Sequence, residues 1–219
     1  MPIRLRINWK CRSIKLYALV LSAVSASCTS SDFVDYGFDK YYVEIVTALD
    51  DNVFLLDTGQ TVYDSNQTAG QLFTSGDRVY LSFSYGKNPS DPITVHGAAR
   101  IFSDTLKTAS ENDISQSAND PVRFESAWVG GHYLNLKFYM EYHSATHKIA
   151  LLANKNQADD QEIHLYFTHD RNNDVPGYPT VVYASFDLRK VLNEPQGNRT
   201  LLVHFRTTNY GNKTCTFKY

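Results

Sequence analysis

Cysteine, basic charge and long apolar runs are all scarce in this chain of 219 residues, and each scarcity excludes something. There are three cysteines, Cys11, Cys28 and Cys215, too few for a disulfide framework. Beyond residue 27 the chain carries 16 Lys and Arg against 23 Asp and Glu. A chain that acidic is a poor partner for nucleic acid, whose phosphates are held by clustered Lys and Arg. The longest mainly apolar run has twelve residues, short of the roughly 20 that cross a bilayer as a helix. No Gly-x-Ser-x-Gly elbow, phosphate loop or dinucleotide fingerprint occurs, so no cofactor is expected. Sustained 3.6-residue periodicity is lacking too, which argues against a helical fold.

What is present begins with an address. Arg4, Arg6, Lys10, Arg12 and Lys15 make a basic start with no acidic residue before Cys28. Leu16 to Ser27 then runs mainly apolar and ends in small residues, the pattern of a secretory signal peptide over residues 1–27. The run stops at Cys28, and Ala26 and Ser27 before it resemble a bacterial lipoprotein signal, in which the cysteine takes the lipid. The expected partner of Cys28 is therefore a membrane, most naturally the outer membrane of the cell envelope, through attached acyl chains. Ser25 departs from the usual Leu three places earlier, and an ordinary signal peptidase would also accept Ser25 and Ser27. Without lipid on Cys28, a Cys28–Cys215 bridge becomes conceivable.

Residues 28–39 are polar and acidic and read as a tether. After them come short runs with period-2 alternation, rich in the 15 Tyr and 12 Phe. Tyr41 to Ala48, Val53 to Asp57, Arg78 to Tyr85 and Ile93 to Phe102 are read as strands, with a bulge or bend at Gly97. The polar stretch Lys107 to Asn119, with room for one helical turn, divides residues 36–118 from residues 119–219. The second part continues with Val122 to Trp128, a hairpin at Gly130-Gly131, Tyr133 to Met140 and five further runs ending in Lys213 to Tyr219. Ile163, Leu165 and Phe167 share one face, as do Leu201, Val203 and Phe205. Cys215 alternates with Phe217 and Tyr219 and belongs on a buried face. The expected class is all-β, with a sandwich in the second part.

The segments FESAWVGGHYLNLKF (124–138) and IHLYFTHDRNNDVPGYPTVVYASFDLRKV (163–191) resemble the NigD-like lipoproteins of Gram-negative bacteria of the gut and mouth. The resemblance implies a lipoprotein signal, a small OB-like barrel and then an immunoglobulin-like β-sandwich. It covers about residues 36–219 and is strongest after Asp120. It brings no biochemical activity with it, so no catalytic residue is carried over.

Several residue groups suggest sites, and each has a plainer reading. An OB-like barrel invites single-stranded nucleic acid, but residues 36–118 hold five basic and eleven acidic side chains, which would repel phosphate. Asp170, Asn172 and Asp174 have the spacing that opens a calcium loop, yet Val175 and Val181 stand where the loop needs Gly and Glu. A polar connecting loop explains them, and no metal is expected. His143 and His147 lie four apart at a turn with no Glu placed as base, and His164 and His169 follow. Tyr80, Tyr133, Tyr139, Tyr166 and Tyr183 fall on outward strand positions, where they form a contact surface or pair across strands. Asp104-Thr105-Leu106 matches a short bacterial O-glycosylation pattern. The reading that results is a lipid-anchored envelope protein, not an enzyme, that presents a surface to a protein or a glycan. The alternatives are an envelope glycan hydrolase using paired carboxylates, with such residues as Glu125 or Asp187 as acid and base, or a structural spacer.

Overall fold

The computed structural model describes residues 40–50, 52–66, 72–88, 90–156, 161–193 and 198–219. The predicted signal peptide, Cys28 and the tether lie outside them.

The first five strands are β1 (Tyr42–Asp50), β2 (Val53–Leu56), β3 (Thr61–Tyr63), β4 (Arg78–Ser84) and β5 (Thr94–Arg100). They form one sheet in the order β3-β2-β1-β4-β5. Its edges meet through a parallel bridge between Asp64 and Ile93, backed by Ile93 N–H to the Tyr63 carbonyl at 2.8 Å and Ser65 N–H to the Ile93 carbonyl at 2.9 Å. The sheet thus closes on itself around Val46, Phe54, Leu81 and Phe83, all buried. The expected bulge is present: Ser82 faces Gly97 and Phe83 faces Val95, which leaves His96 unopposed.

The run Ile93 to Phe102, read from sequence as one strand, is divided at Ile101. Beyond it, β6 (Phe102–Thr105) pairs with a different sheet. β7 (Lys107–Ala109) and the one-turn helix α1 (Glu111–Gln116), capped by Ser110 and Asp113, occupy the polar stretch that follows. Then come β8 (Arg123–Gly130), β9 (Tyr133–Tyr142), β10 (Lys148–Asn154), β11 (Glu162–Asp170), β12 (Tyr178–Asp187), the short α2 (Arg189–Leu192), β13 (Thr200–Thr207) and β14 (Gly211–Lys218). One sheet runs β6-β12-β9-β8 and the other β14-β13-β11-β10-β7. The chain passes from one sheet to the other at Leu106, which is fully buried between them.

Period-2 alternation fills the space between these sheets as the sequence predicts. Phe138, Phe167, Phe186 and Phe205 interlock with ring centroids 5.3–6.4 Å apart. Cys215 and Phe217 pack against that core and Tyr219 is buried. The expected immunoglobulin-like sandwich is a two-sheet sandwich with mixed sheets, because β6–β12, β7–β10 and β11–β13 run parallel. Asp39–Tyr219 makes one unit. Among the described residues no helix is long and apolar enough to cross a membrane.

Candidate functional site

The two ends of the sandwich are built differently. At one end the β8–β9 hairpin meets the first sheet through Arg78, which is only 1% exposed. Its guanidinium donates from Nε to Ser185 Oγ at 2.9 Å, from Nη1 to Thr47 Oγ1 at 2.9 Å and Asp57 Oδ1 at 2.7 Å, and from Nη2 to Asp57 Oδ2 at 2.9 Å and Asn135 Oδ1 at 3.1 Å. All five donors of the fork are thereby answered. Asn135 donates to Asp57 Oδ2 at 2.8 Å, Ser185 donates to Asn135 at 2.7 Å, and Tyr133 lies under the guanidinium at 3.8 Å. A Cβ on Gly130 would collide with the Asp57 carboxylate, and Gly131 turns the hairpin at φ +55°. The glycine pair is thus a close approach as well as a turn. Beside it Tyr80 packs on Tyr183 at 4.8 Å.

The opposite end is free of the first sheet and carries a cavity of about 400 Å³. Its wall comes from the ends of strands: Arg123 from β8, Tyr139 to Glu141 from β9, His169 and Arg171 at the end of β11, Pro179 from β12 and Thr208 after β13. A buried hydrogen-bonded chain lies behind it. His169 Nδ1 donates to the Asp120 carbonyl at 3.2 Å, so its Nε2 accepts from His147 Nδ1 at 2.9 Å, and His147 Nε2 reaches Asp174 Oδ2 at 3.2 Å. Asp174 also accepts the backbone N–H groups of His143 at 2.8 Å and Ser144 at 3.2 Å. The His143 amide leads the effects that hold its carboxyl well below the usual range; burial opposes them, and the Ala145 and Ser144 amides and His147 add to them.

His169 carries a pH dependence. Burial pushes its pKa below the ordinary value, helped by neighbouring His147 and Arg171 and opposed by Asp120. The unfolded chain therefore takes up this proton first as the pH falls. The loss of stability begins near the unfolded value of about 6.5 and continues until the folded value is reached. Urea midpoints are expected to fall between about pH 7 and about pH 5, with a shallower fall in His169→Asn. Equal slopes for the two proteins would remove His169 from the account. His204, lowered first by burial and then by His164, acts in the same direction.

The structure redistributes the residues singled out by sequence. Asp174 turns away from Asp170 and anchors the 143–147 loop, while Asp170 accepts the Asn172 N–H at 2.7 Å; the calcium-loop spacing serves chain turns. Among the described residues no group of three His, Cys, Asp or Glu is placed to hold a metal ion. His164 stacks on His204 at 5.2 Å and Tyr166 stacks on the same ring at 5.0 Å, on the outer face of the larger sheet. Of the five outward tyrosines, Tyr80, Tyr133 and Tyr183 face the junction, and Tyr139 lies under Arg123 at 4.0 Å. Glu125 and Asp187, two of the carboxylates named for the hydrolase reading, stand on different strands, β8 and β12. Asp187 pairs across β9 with Tyr133, while Glu125 sits in the bulge beside Lys137. Asp187 bonds Arg189 at 2.7 Å and Glu125 is 4.0 Å from Lys137. Thr105 is half-buried and pairs with Asp187, and Asp104 holds Lys107 at 2.7 Å.

Comparison with known proteins agrees with this architecture. Residues 105–219 match the family model described as the NigD-like C-terminal beta sandwich domain. A protein of unknown function from Bacteroides vulgatus is similar with a TM-score of 0.70 and 18% identity, over 82% of this chain and 90% of that one. A NigD-like immunity protein from Bacteroides caccae gives 0.62 and 18%, over 81% and 92%. A candidate lipoprotein from Bacteroides fragilis gives 0.56 and 14%, over 82% and 96%. At these identities the likeness shows the fold. No curated protein sequence matches.

Proposed function

The chain belongs to the NigD-like family, and from that premise we propose that it is a lipid-anchored cell-envelope protein that binds a protein or glycan rather than transforming it. Cys28 carries the lipid, the outer membrane is the destination, and residues 28–39 tether the folded part. The first sheet is an OB-like barrel, in keeping with its five strands and parallel closure. We place the divide between the two parts at Ile101, ahead of the polar stretch. The acidic barrel serves as a rigid support rather than a nucleic-acid groove.

The observation that carries the reading is the asymmetry of the sandwich. One end is consumed by the Arg78 junction, and the other gathers five chain segments around a cavity. Loops clustered at a sandwich end are a common place for binding residues on this architecture. Around that end Tyr178, Val175, Tyr142 and Tyr210 are exposed, Tyr178 by 84%. Exposed tyrosines with neighbouring arginines are the side chains enriched where proteins meet. The immunity protein from Bacteroides caccae with this fold favours a protein as the partner.

A photo-crosslinking residue in place of Tyr178 is expected to capture a partner on whole cells. The same residue at Tyr63, exposed on the first sheet, is expected to capture none. Equal labelling from both positions would show that the free end is not the binding surface.

A further inference from the structure

The cavity at the free end has an unusual balance of charge for so acidic a chain. Arg171 Nη2 is buried and has no hydrogen-bond partner among the described residues. Arg123, exposed at the rim, stacks on Tyr139 at 4.0 Å and makes no ion pair among the described residues. A guanidinium presents a planar fork of donors that fits a carboxylate with two parallel bonds. A buried donor left unanswered costs stability, and Arg171 is one of the residues that line this cavity. Glu141 lines the same cavity, exposed and with no ion pair among the described residues. A carboxylate there repels a bare anion but accepts from hydroxyl groups, as does the Thr208 side chain at the same wall. Met140 and Pro179 supply an apolar wall, and the volume of about 400 Å³ suits a small ligand. His169 on this wall adds little charge, because burial keeps its ring neutral.

We propose that this cavity binds a sugar acid, a saccharide that offers a carboxylate to Arg171 and Arg123 and hydroxyls to Glu141. A ligand with only one of these features leaves part of the wall unanswered. The inference rests on the reading of the free end as a binding surface and gives that surface a ligand class.

Calorimetric titration of the protein with D-galacturonate and N-acetylneuraminate tests it. Galactose is the neutral match, and N-acetylaspartate and inorganic phosphate are anions without the sugar ring. At least one sugar acid is expected to bind, and galactose roughly tenfold more weakly or not at all. Arg171→Gln is expected to weaken the acid roughly tenfold while the unliganded protein melts at the same temperature or higher. Arg123→Gln, at an exposed position, is expected to weaken it too, so that loss of folding in one variant does not hide the site. Equal binding of galactose overturns the proposal, as does undiminished binding to both variants. Tighter binding of N-acetylaspartate or phosphate, or no heat from either sugar acid, overturns it as well. Crosslinking from Tyr178 that persists in that last case leaves the binding-surface reading standing, whereas its loss removes both.

Discussion

Replacing Arg78 with methionine is expected to cost about 3–5 kcal/mol, the usual penalty for leaving one member of a buried ion pair without its partner. Methionine fills much of the same space, so the loss is mainly electrostatic. Asp57 would keep only Asn135 Nδ2 as a donor from this cluster, and Asn135 Oδ1 and Ser185 Oγ, both in fully buried residues, would each lose a bond. Arg100→Met is the control. Arg100 bonds Asp77 at 2.7 Å, but its side chain is 57% exposed, and such a pair is worth about 0–1 kcal/mol. Urea unfolding followed by two probes would show more than the size of the loss. If Arg78 couples the first sheet to the sandwich, Arg78→Met unfolds in two separated transitions where the parent unfolds in one. A single transition within about 1 kcal/mol of the parent would mean the junction is held by Tyr80 on Tyr183 and its neighbours instead.

That junction was the part of the molecule least legible in the sequence. Ile163, Leu165 and Phe167 announce a buried face because they alternate with polar residues, and the structure buries all three. The same logic assigns Asn135, Ser185 and Tyr183 to solvent, since they alternate with Leu134, Leu136, Ala184 and Phe186. It fails there because a second sheet covers the polar face. Alternation tells which side of a strand differs from the other, and it does not tell what lies beyond the polar side. Arg78 illustrates the point. Its partners stand 21, 31, 57 and 107 residues away in the chain, so nothing local marks it as a core residue. A faint signal existed in Gly130-Gly131, where a hairpin needs one glycine at positive φ and the second was surplus to the turn; Asp57 occupies the space it leaves.

The free end was legible in pieces. His147, His169 and Asp174 each stood out, but separately: His147 with His143 at a turn, His169 as a further histidine after His164, and Asp174 in a polar loop with calcium-like spacing. Their assembly depends on β10 pairing with β11 and on the loop before β12 folding back over residues 143–147. The break of the run 93–102 at Ile101 had no mark at all. Both halves are good strand sequence, and only the competition between two sheets for the same chain decides where it changes partner.

Gly177 shows how tightly that end is drawn together. Alanine there would put a Cβ onto the carbonyl of Tyr142, and both its carbon and the His143 nitrogen lie within 3 Å. Those are backbone atoms, held by β9 pairing with β12 at Tyr142 and Tyr178 and by the Asp174 bonds to His143 and Ser144. No side-chain rotation relieves the overlap, so the strands must part. Gly177→Ala is expected to cost about 1–3 kcal/mol, the range for overpacking a filled site. Because the same movement shifts Glu141 and Pro179 at the cavity wall, ligand capture at the free end falls with it. Gly97→Ala makes the opposite case. Nothing lies within 4 Å of its Cβ position, and its φ is outside the left-handed range. Alanine there is expected to be neutral or to stabilise by about 0.4–1 kcal/mol through a less flexible unfolded chain. Urea midpoints of the two variants side by side decide the matter. If both variants cost the same, the close approach at Tyr142 does not constrain the loop, and the free end is looser than its hydrogen bonds imply.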